Sequence, residues 1–124
     1  MTQRTVLLLE DEALIAMDIA MDLESLGLKV IQTNAIAGAL EAVEKHAIDA
    51  AVLDLDIRGK PTTPVAEALR ARGVPFLVCS GSQFADLAEI FGGVPTVAKP
   101  FRTEELNSTL LSLMEGRGND SVLF

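Results

Sequence analysis

Five short apolar runs recur along this chain, and segments with helical spacing follow them. The runs are Thr5–Leu9, Leu28–Ile31, Ile48–Leu53, Pro75–Cys79 and Val94–Ala98. Apolar runs of this length, bounded by turn-forming residues, are typical of buried parallel strands. The alternation of strand and helix therefore predicts an α/β fold with a parallel sheet and right-handed crossovers, whereas periodicity alone leaves the strand order open.

The segments between the runs place apolar residues three and four positions apart, as amphipathic helices do. The predicted helices are Ala13–Leu26, Ala35–Lys45 with Asn34 as its cap, Pro64–Arg72, Ser82–Phe91 and a last helix capped by Thr103. Their predicted apolar faces include Leu14 and Ile19 in the first helix and Leu40 and Val43 in the second. In the last helix the predicted stripe is Leu106, Leu110, Leu113 and Met114.

Length and composition limit the domain organisation and the classes of partner. The chain has 124 residues and a formal net charge of −8, so one acidic domain is expected, and nucleic acid is not expected as a direct partner. We predict that residues 1–116 form this domain and that 117–124 form a flexible tail, because periodicity ends near Gly116. The apolar runs are too short to span a bilayer, and the first residues lack a signal-peptide pattern. A cytoplasmic protein with no membrane partner is therefore the expectation.

Chemically active residues stand at the ends of four of the five runs. Glu10 and Asp11 follow the first run, Asp54 the third, Ser80 the fourth and Lys99 the fifth. In an open parallel sheet such residues meet outside the carboxyl ends of the strands. Carboxylate oxygens suit Mg²⁺, and a carboxylate can attack phosphorus to form an aspartyl phosphate. A lysine would then balance charge on the transferred group, and a hydroxyl could donate to one of its oxygens.

Taken one at a time, these residues have simpler explanations. Acids after a strand favour a helix N-terminus, and Asp54 could pair with a lysine in a loop. Ser80 before Gly81 suits a turn, and Lys99 before Pro100 suits the surface. Their joint occurrence at strand ends favours one shared site over unrelated surface positions.

The set Glu10-Asp11, Asp54, Ser80 and Lys99-Pro100-Phe101 resembles the receiver domain of two-component response regulators, over about residues 4–115. The resemblance implies the flavodoxin-like (βα)5 fold, a doubly wound parallel sheet with strand order 2-1-3-4-5. It also implies signalling by protein–protein contact. The phosphoryl group would come from a histidine kinase or a histidine phosphotransfer protein, and a downstream protein would bind the face of the fourth helix, fifth strand and fifth helix.

The resemblance also implies a role for each residue of the set. Asp54 would be the phosphoacceptor, and Ser80 and Lys99 would contact the phosphoryl oxygens. The implied Mg²⁺ ligands are Glu10, Asp11, Asp54 and the backbone carbonyl of Asp56. The peptide between Lys99 and Pro100 would be cis, which would aim the lysine inward. The chain would be a phosphoacceptor that assists its own phosphorylation and dephosphorylation, and not an enzyme in the ordinary sense.

Two features depart from the usual receiver pattern. Receivers usually carry an aromatic residue three positions before the lysine, where this chain has Thr96. The segment from Pro75 to Gly81 resembles a subgroup, often single-domain, with a Phe-Ala-Thr-Gly-type motif. We therefore predict that phosphorylation acts by ordering residues 80–93 and not by burying a side chain at position 96.

Two other functions stay open at this point. The spacing of Asp54-Leu55-Asp56 matches the aspartate pair of haloacid-dehalogenase-type phosphatases, which also form an aspartyl phosphate. That family places the pair after its first strand and adds a cap domain, whereas here the pair follows the third strand of a short chain. The other alternative is a binding module that works without phosphorylation, and the intact set of acids, hydroxyl and lysine argues against it.

Overall fold

The computed structural model describes residues 3–81, 94–99 and 102–123, with the backbone alone described at 80–81, 98 and 116–123. Its helices are α1 (Ala13–Ser25), α2 (Ile36–Lys45), α3 (Thr63–Ala71) and α4 (Thr103–Leu123). Its strands are β1 (Thr5–Leu9), β2 (Lys29–Thr33), β3 (Ala50–Asp54), β4 (Asp56–Ile57), β5 (Lys60–Pro61), β6 (Phe76–Gly81) and β7 (Thr96–Lys99). Each predicted apolar run contributes a strand, with ends that shift by a few residues.

Five of these strands form one parallel sheet in the order β2-β1-β3-β6-β7. Since β6 and β7 are the fourth and fifth strands of this sheet, the predicted order 2-1-3-4-5 is confirmed. The carboxyl ends of β1, β3 and β7 consequently open on the same edge of the sheet.

Apolar clusters lie on both faces of the sheet, because successive strand residues point to opposite sides. One cluster combines Leu7, Leu53 and Val78 of the strands with Val43 of α2 and Leu69 of α3. The other combines Leu8, Val52 and Leu77 with Leu23 of α1 and Leu110 of α4. In α4, Leu106, Leu110 and Met114 are buried and Leu113 is partly buried, so the predicted stripe is confirmed.

The predicted apolar faces were wrong at Leu14 and Leu26 of the first helix and at Leu40 of the second, which are all exposed. The buried face of α1 consists of Ala16, Ile19, Ala20 and Leu23. Leu14 lies off this face and is 77% exposed. The side chains of Met17 and Met21 are also exposed, to a lesser degree. Leu40 of α2 is also exposed. Apolar residues occur on both sides of these helices, and only the sheet decides which side is covered.

The start of α2 corrects another expectation, because Asn34 does not cap it. Ala35 occupies the cap position in an extended conformation. The hydroxyl of Thr33 accepts a hydrogen bond from the Ala35 backbone N–H at 3.4 Å. Gly38 packs against Thr33 so closely that an added Cβ would collide with the Thr33 hydroxyl. The helix therefore starts without a side-chain cap bond, and Thr33 at the end of β2 holds only the residue that precedes it.

Two further elements differ from the sequence interpretation. The polar turn predicted at Arg58–Pro61 is part of an antiparallel hairpin formed by β4 and β5. The helical backbone of α4 continues to Leu123, past the predicted domain end, so the boundary at 116 and the flexibility of 117–124 stay predictions.

The predicted helix at 82–91 and the predicted cis peptide before Pro100 lie outside the described residues. Within the described part of the chain, no helix is long and apolar enough to cross a membrane.

Candidate functional site

Side chains from three separate strand ends converge at the carboxyl edge of the sheet. Glu10 directly follows β1, Asp54 is the last residue of β3, and Lys99 is the last residue of β7. Glu10 and Asp54 are both buried, which is uncommon for carboxylates unless they have partners. Their partner is Lys99. It lies 89 residues after Glu10 and 45 residues after Asp54 in the sequence, and the parallel sheet brings it next to both acids.

The Lys99 ammonium bridges the two buried carboxylates. Its Nζ donates to Glu10 Oε1 at 2.8 Å and to Asp54 Oδ2 at 3.2 Å. Glu10 is fixed at both its backbone and its side chain. Its N–H donates to the Thr33 carbonyl at 3.2 Å, and its Oε2 accepts from the backbone N–H of Glu12 at 3.0 Å. The lysine is therefore held by an acid that is itself immobilised.

A third carboxylate, that of Asp11, completes an acidic cluster. Carboxylate oxygens of Glu10, Asp11 and Asp54 all lie within 4.8 Å of one another. Mg²⁺ prefers oxygen ligands and is usually held by one or two carboxylates with retained waters. The donor set therefore fits the ion that the sequence predicts. In the described part of the chain, Lys99 forms the salt bridges to Glu10 and Asp54. Three carboxylates therefore face one ammonium group, and the negative charge of the cluster exceeds the positive charge of this lysine.

The environment of the cluster raises the pKa values of both Asp54 and Lys99. These shifts favour the neutral form of Asp54 and the charged form of Lys99. Burial raises the pKa of the Asp54 carboxyl from 3.8 to about 7, and the negative charge of Glu10 adds to this, while Lys99 opposes it. Burial tends to lower the pKa of Lys99, but its hydrogen bond to Glu10 and the charges of both acids outweigh burial and raise that pKa above 10.5. The charged form of Asp54 thus needs more positive charge than Lys99 provides, which favours a cation.

Asp56 takes a different position from the three clustered acids. It begins β4, whose hairpin turns at Arg58 and Gly59, both with positive φ of 53° and 83°. Asp56 Oδ2 accepts a hydrogen bond from the Gly59 N–H at 3.1 Å. Its side chain therefore closes the turn, and its predicted contribution of a backbone carbonyl to the metal stays a prediction.

Sequence reasoning overlooked one residue of this region, Thr62, which directly precedes α3. Its side chain is completely buried, and its hydroxyl donates to the backbone carbonyl of Asp54 at 2.6 Å. The sequence signal at this position, a threonine before a helix, suggests only a helix cap. The contact with Asp54 depends on the hairpin, which the sequence interpretation treated as a plain turn.

The structure thus brings together Glu10, Asp11, Asp54 and Lys99 of the predicted set. Ser80 lies in β6, whose neighbouring strand β7 carries Lys99, but its side chain is outside the described part. An open groove borders the acidic cluster on one side. It is lined by Glu10, Asp11, Ala13, Ala16, Met17, Gln32, Thr33 and Asn34.

Comparison with known proteins gives matches among solved structures. No protein-family model matches the sequence. No curated protein matches it either. The solution structure of SdrG from Sphingomonas melonis Fr1 is 38% identical, with a TM-score of 0.79 over 92% of this chain and 98% of that chain. A response regulator receiver protein from Sinorhizobium medicae WSM419 is 29% identical, with a TM-score of 0.83 over 93% of this chain and 97% of that chain.

A more distant match supports the fold alone. A CheY-like response regulator receiver domain from Methanospirillum hungatei JF-1 is 16% identical, with a TM-score of 0.85. The match covers 96% of this chain and 99% of that chain. The similarity thus extends over nearly the whole length of both proteins.

Proposed function

Because this chain belongs to the response regulator receiver domains of two-component signalling, we propose that it accepts a phosphoryl group on the carboxylate of Asp54. One observation carries the proposal. Asp54 ends the central strand β3, and its Oδ2 lies 3.2 Å from the Lys99 ammonium, inside a cluster with Glu10 and Asp11. A nucleophile, a cation and further metal-binding oxygens are therefore present at one strand edge.

The proposed donor is a phosphohistidine of a histidine kinase or of a histidine phosphotransfer protein. A carboxylate oxygen of Asp54 attacks phosphorus, and the bond between phosphorus and the imidazole nitrogen breaks. The departing nitrogen keeps the electron pair of that bond and takes up one proton. The products are an aspartyl phosphate and a neutral histidine, and no oxidant or further reactant is needed.

Lys99 is suited to remain in place during this transfer. Its shorter hydrogen bond is to Glu10, at 2.8 Å, so it keeps an anchor when Asp54 becomes esterified. The ammonium then loses a carboxylate partner and is free to pair with an oxygen of the phosphoryl group, which is a charge-assisted contact. Ser80, at the end of the adjacent strand, is the proposed donor to a second phosphoryl oxygen.

Mg²⁺ is the proposed cofactor of this site. Glu10, Asp11 and Asp54 would hold it through carboxylate oxygens, directly or through water, with the Asp56 backbone carbonyl as a further ligand. When bound, it supplies positive charge that stabilises the oxygens of the transferred phosphoryl group. The raised pKa of Asp54 agrees with this role, because a cation favours the charged carboxylate that must attack phosphorus.

The proposed output is contact with a downstream protein in the cytoplasm, at the face formed by the fourth helix, fifth strand and fifth helix of the receiver fold. The alternative phosphatase reaction would require both acids of Asp54-Leu55-Asp56 at the site. The Asp56 carboxylate is instead hydrogen-bonded to the Gly59 N–H in the hairpin turn. This contact favours the phosphoacceptor role over the phosphatase.

Mass mapping of the modified residue tests the proposed function. The protein is treated with phosphoramidate and Mg²⁺, and the phosphoryl group is located by peptide mass spectrometry. We expect modification of Asp54, its loss in Asp54→Asn, and its retention in the matched control Asp56→Asn. A phosphoryl group on Asp56 or Glu10, or no modification of the folded wild-type protein, contradicts the proposal.

A further inference from the structure

We infer that Thr62 is a positioning residue for phosphoryl acceptance, because its hydroxyl fixes the backbone that carries Asp54. This inference rests on the proposed function of Asp54, and adds to it a residue outside the acidic cluster. Among the described residues, the hydrogen bonds of the Thr62 hydroxyl go to the backbone carbonyls of Asp54 and Leu55, and not to Lys99 or to the clustered carboxylates. Thr62 acts through the peptide groups at the end of β3.

Thr62 is buried and hydrogen-bonded through both its hydroxyl and its backbone N–H, although it lies in a connecting segment. Its exposed fraction is 0%, and its Oγ1 donates to the Asp54 carbonyl at 2.6 Å, with the Leu55 carbonyl also near at 3.2 Å. Its backbone N–H donates to the Leu55 carbonyl at 3.1 Å. A buried carbonyl that loses its donor is destabilised by the full cost of its desolvation. Thr62 therefore satisfies two successive carbonyls at the strand end.

Helix capping does not account for this arrangement. Thr62 stands at the cap position of α3, where a threonine hydroxyl commonly accepts a hydrogen bond from a backbone N–H of the first turn. Here no such side-chain cap bond is formed. The Thr62 carbonyl accepts from the N–H groups of Val65 and Ala66, and the hydroxyl is directed to Asp54 instead. Its direction is consistent with a role at the strand end.

Thr62 completes a clamp on the segment after Asp54. On one side, the Leu55 N–H donates to the Cys79 carbonyl of β6 at 3.0 Å. On the other side, Thr62 holds the carbonyls of Asp54 and Leu55. The peptide planes on either side of Leu55 are therefore restrained from rotating. Reacting groups have to be held to within about 0.5 Å of their productive geometry, and such a restraint sets the direction of the Asp54 side chain.

The hairpin of β4 and β5 places Thr62 where it makes this contact. Two strands of two residues each have little stability of their own, yet β4 and β5 form with a tight turn at Arg58 and Gly59. The pairing of Asp56 with Pro61 returns the chain to the point where Thr62 faces the end of β3. The spacing of eight residues between Asp54 and Thr62 is thus set by the turn.

A pair of substitutions separates the hydroxyl of Thr62 from its packing. Thr62→Val keeps the shape and removes the donor, and Thr62→Ser keeps the donor and removes a methyl group. Thr109→Val is the matched control, because the Thr109 hydroxyl donates to a backbone carbonyl of α4, that of Glu105, at 2.9 Å. All variants are compared at a temperature where unfolding curves show each to be fully folded.

Two readouts are required. The first is the backbone carbonyl and amide chemical shifts of residues 54–56 in the metal-free protein, which do not depend on activity. The second is the rate constant of Asp54 phosphorylation by phosphoramidate at saturating Mg²⁺. We expect Thr62→Val to change those chemical shifts and to slow phosphorylation by about tenfold or more. Tenfold is the lower end of the roughly 10- to 100-fold loss found when a residue that orients the groups of a site is removed. Thr62→Ser and Thr109→Val should keep near-wild-type shifts and rates.

The outcomes distinguish this inference from the proposed function. A Thr62→Val protein that is less stable but keeps the wild-type shifts and rate overturns the inference, since Thr62 would then only contribute to stability. A wild-type protein without phosphorylation of Asp54 overturns the proposed function, while the shifts still report the clamp. If Thr62→Val does not fold, Thr62→Ser decides, and a slow Thr62→Ser protein contradicts the inference.

Discussion

Lys99 is anchored on Glu10, with its Nζ 2.8 Å from Glu10 Oε1. The same ammonium lies 3.2 Å from Asp54 Oδ2, so it has one carboxylate for support and a second that is the proposed nucleophile. Glu10 and Lys99 act on the Asp54 carboxyl in opposite directions, since the acid raises its pKa and the lysine lowers it. This opposition leads to the first prediction.

Neutralising Glu10 and neutralising Lys99 should shift the pKa of Asp54 in opposite directions. Glu10→Gln removes a negative charge, so the pKa of Asp54 should fall below about 7, and Lys99→Met removes a positive charge, so it should rise further. The measurement is a carboxyl carbon NMR titration of the metal-free protein. Asp18→Asn, an exposed acid on α1, is the control and should leave the titration unchanged. Shifts of the same sign in Glu10→Gln and Lys99→Met would contradict this assignment.

The stability of the metal-free protein should depend on pH through Asp54. Its pKa is 3.8 in the ordinary state and about 7 in the fold, so between these values the folded protein holds a proton that the unfolded chain has released. The free energy of unfolding should therefore decrease as the pH rises from about 4 to about 7, and level off above that range. Urea unfolding across this range measures the effect.

Asp54→Asn should remove this pH dependence, because the amide resembles the protonated acid at every pH. At pH 8 the metal-free variant is expected to be more stable than the wild-type protein. Asp56→Asn is the matched control, and should retain the slope between pH 4 and pH 7. Parallel pH profiles for wild type and Asp54→Asn would refute the raised pKa of Asp54.

Mg²⁺ should stabilise the protein at neutral pH, because its proposed site is a cluster of acids that exists only in the fold. At a concentration one hundred times the dissociation constant, the expected gain in the free energy of unfolding is about 2.7 kcal/mol. Asp11→Asn should reduce this gain strongly, whereas Asp18→Asn should not. Thermal unfolding with and without Mg²⁺ is the measurement, and equal gains in both variants would exclude Asp11 as a ligand.

Gly38→Ala should destabilise the fold although alanine is the better helix former. The new Cβ would collide with the hydroxyl of Thr33, which also accepts a hydrogen bond from Ala35, so it cannot move without loss. Overpacking of this kind typically costs about 1–3 kcal/mol, whereas the intrinsic helix preference for alanine over glycine is about 1 kcal/mol, so a net loss of stability is expected. Urea unfolding checks the sign.

The double variant Thr33→Ala with Gly38→Ala provides the control for this prediction. Removing the Thr33 hydroxyl opens the space that the new methyl group needs, so the double variant should be more stable than the sum of the two single changes predicts. Additive losses of stability would show that contact with Thr33 is not the cause.

The sequence was sufficient for the fold class and for the members of the acidic cluster. Short apolar runs and helical spacing are local patterns, and they identified the alternating strands and helices without any knowledge of their neighbours. Because parallel strands end at a common edge, the sequence also identified Glu10, Asp11, Asp54 and Lys99 as neighbours. The strand order came from the resemblance to receiver domains, since periodicity carries no such information.

The tertiary structure alone decided how these groups interact. Which acid holds Lys99, and the burial that raises the pKa of Asp54, depend on strands brought together from distant parts of the chain. The exposure of Leu14 depends on which side of α1 the sheet covers. The contact between Thr62 and Asp54 depends on the turn of a hairpin whose strands have almost no periodic pattern to detect. Distances and burial arise from long-range packing, whereas the sequence patterns that can be read directly are local.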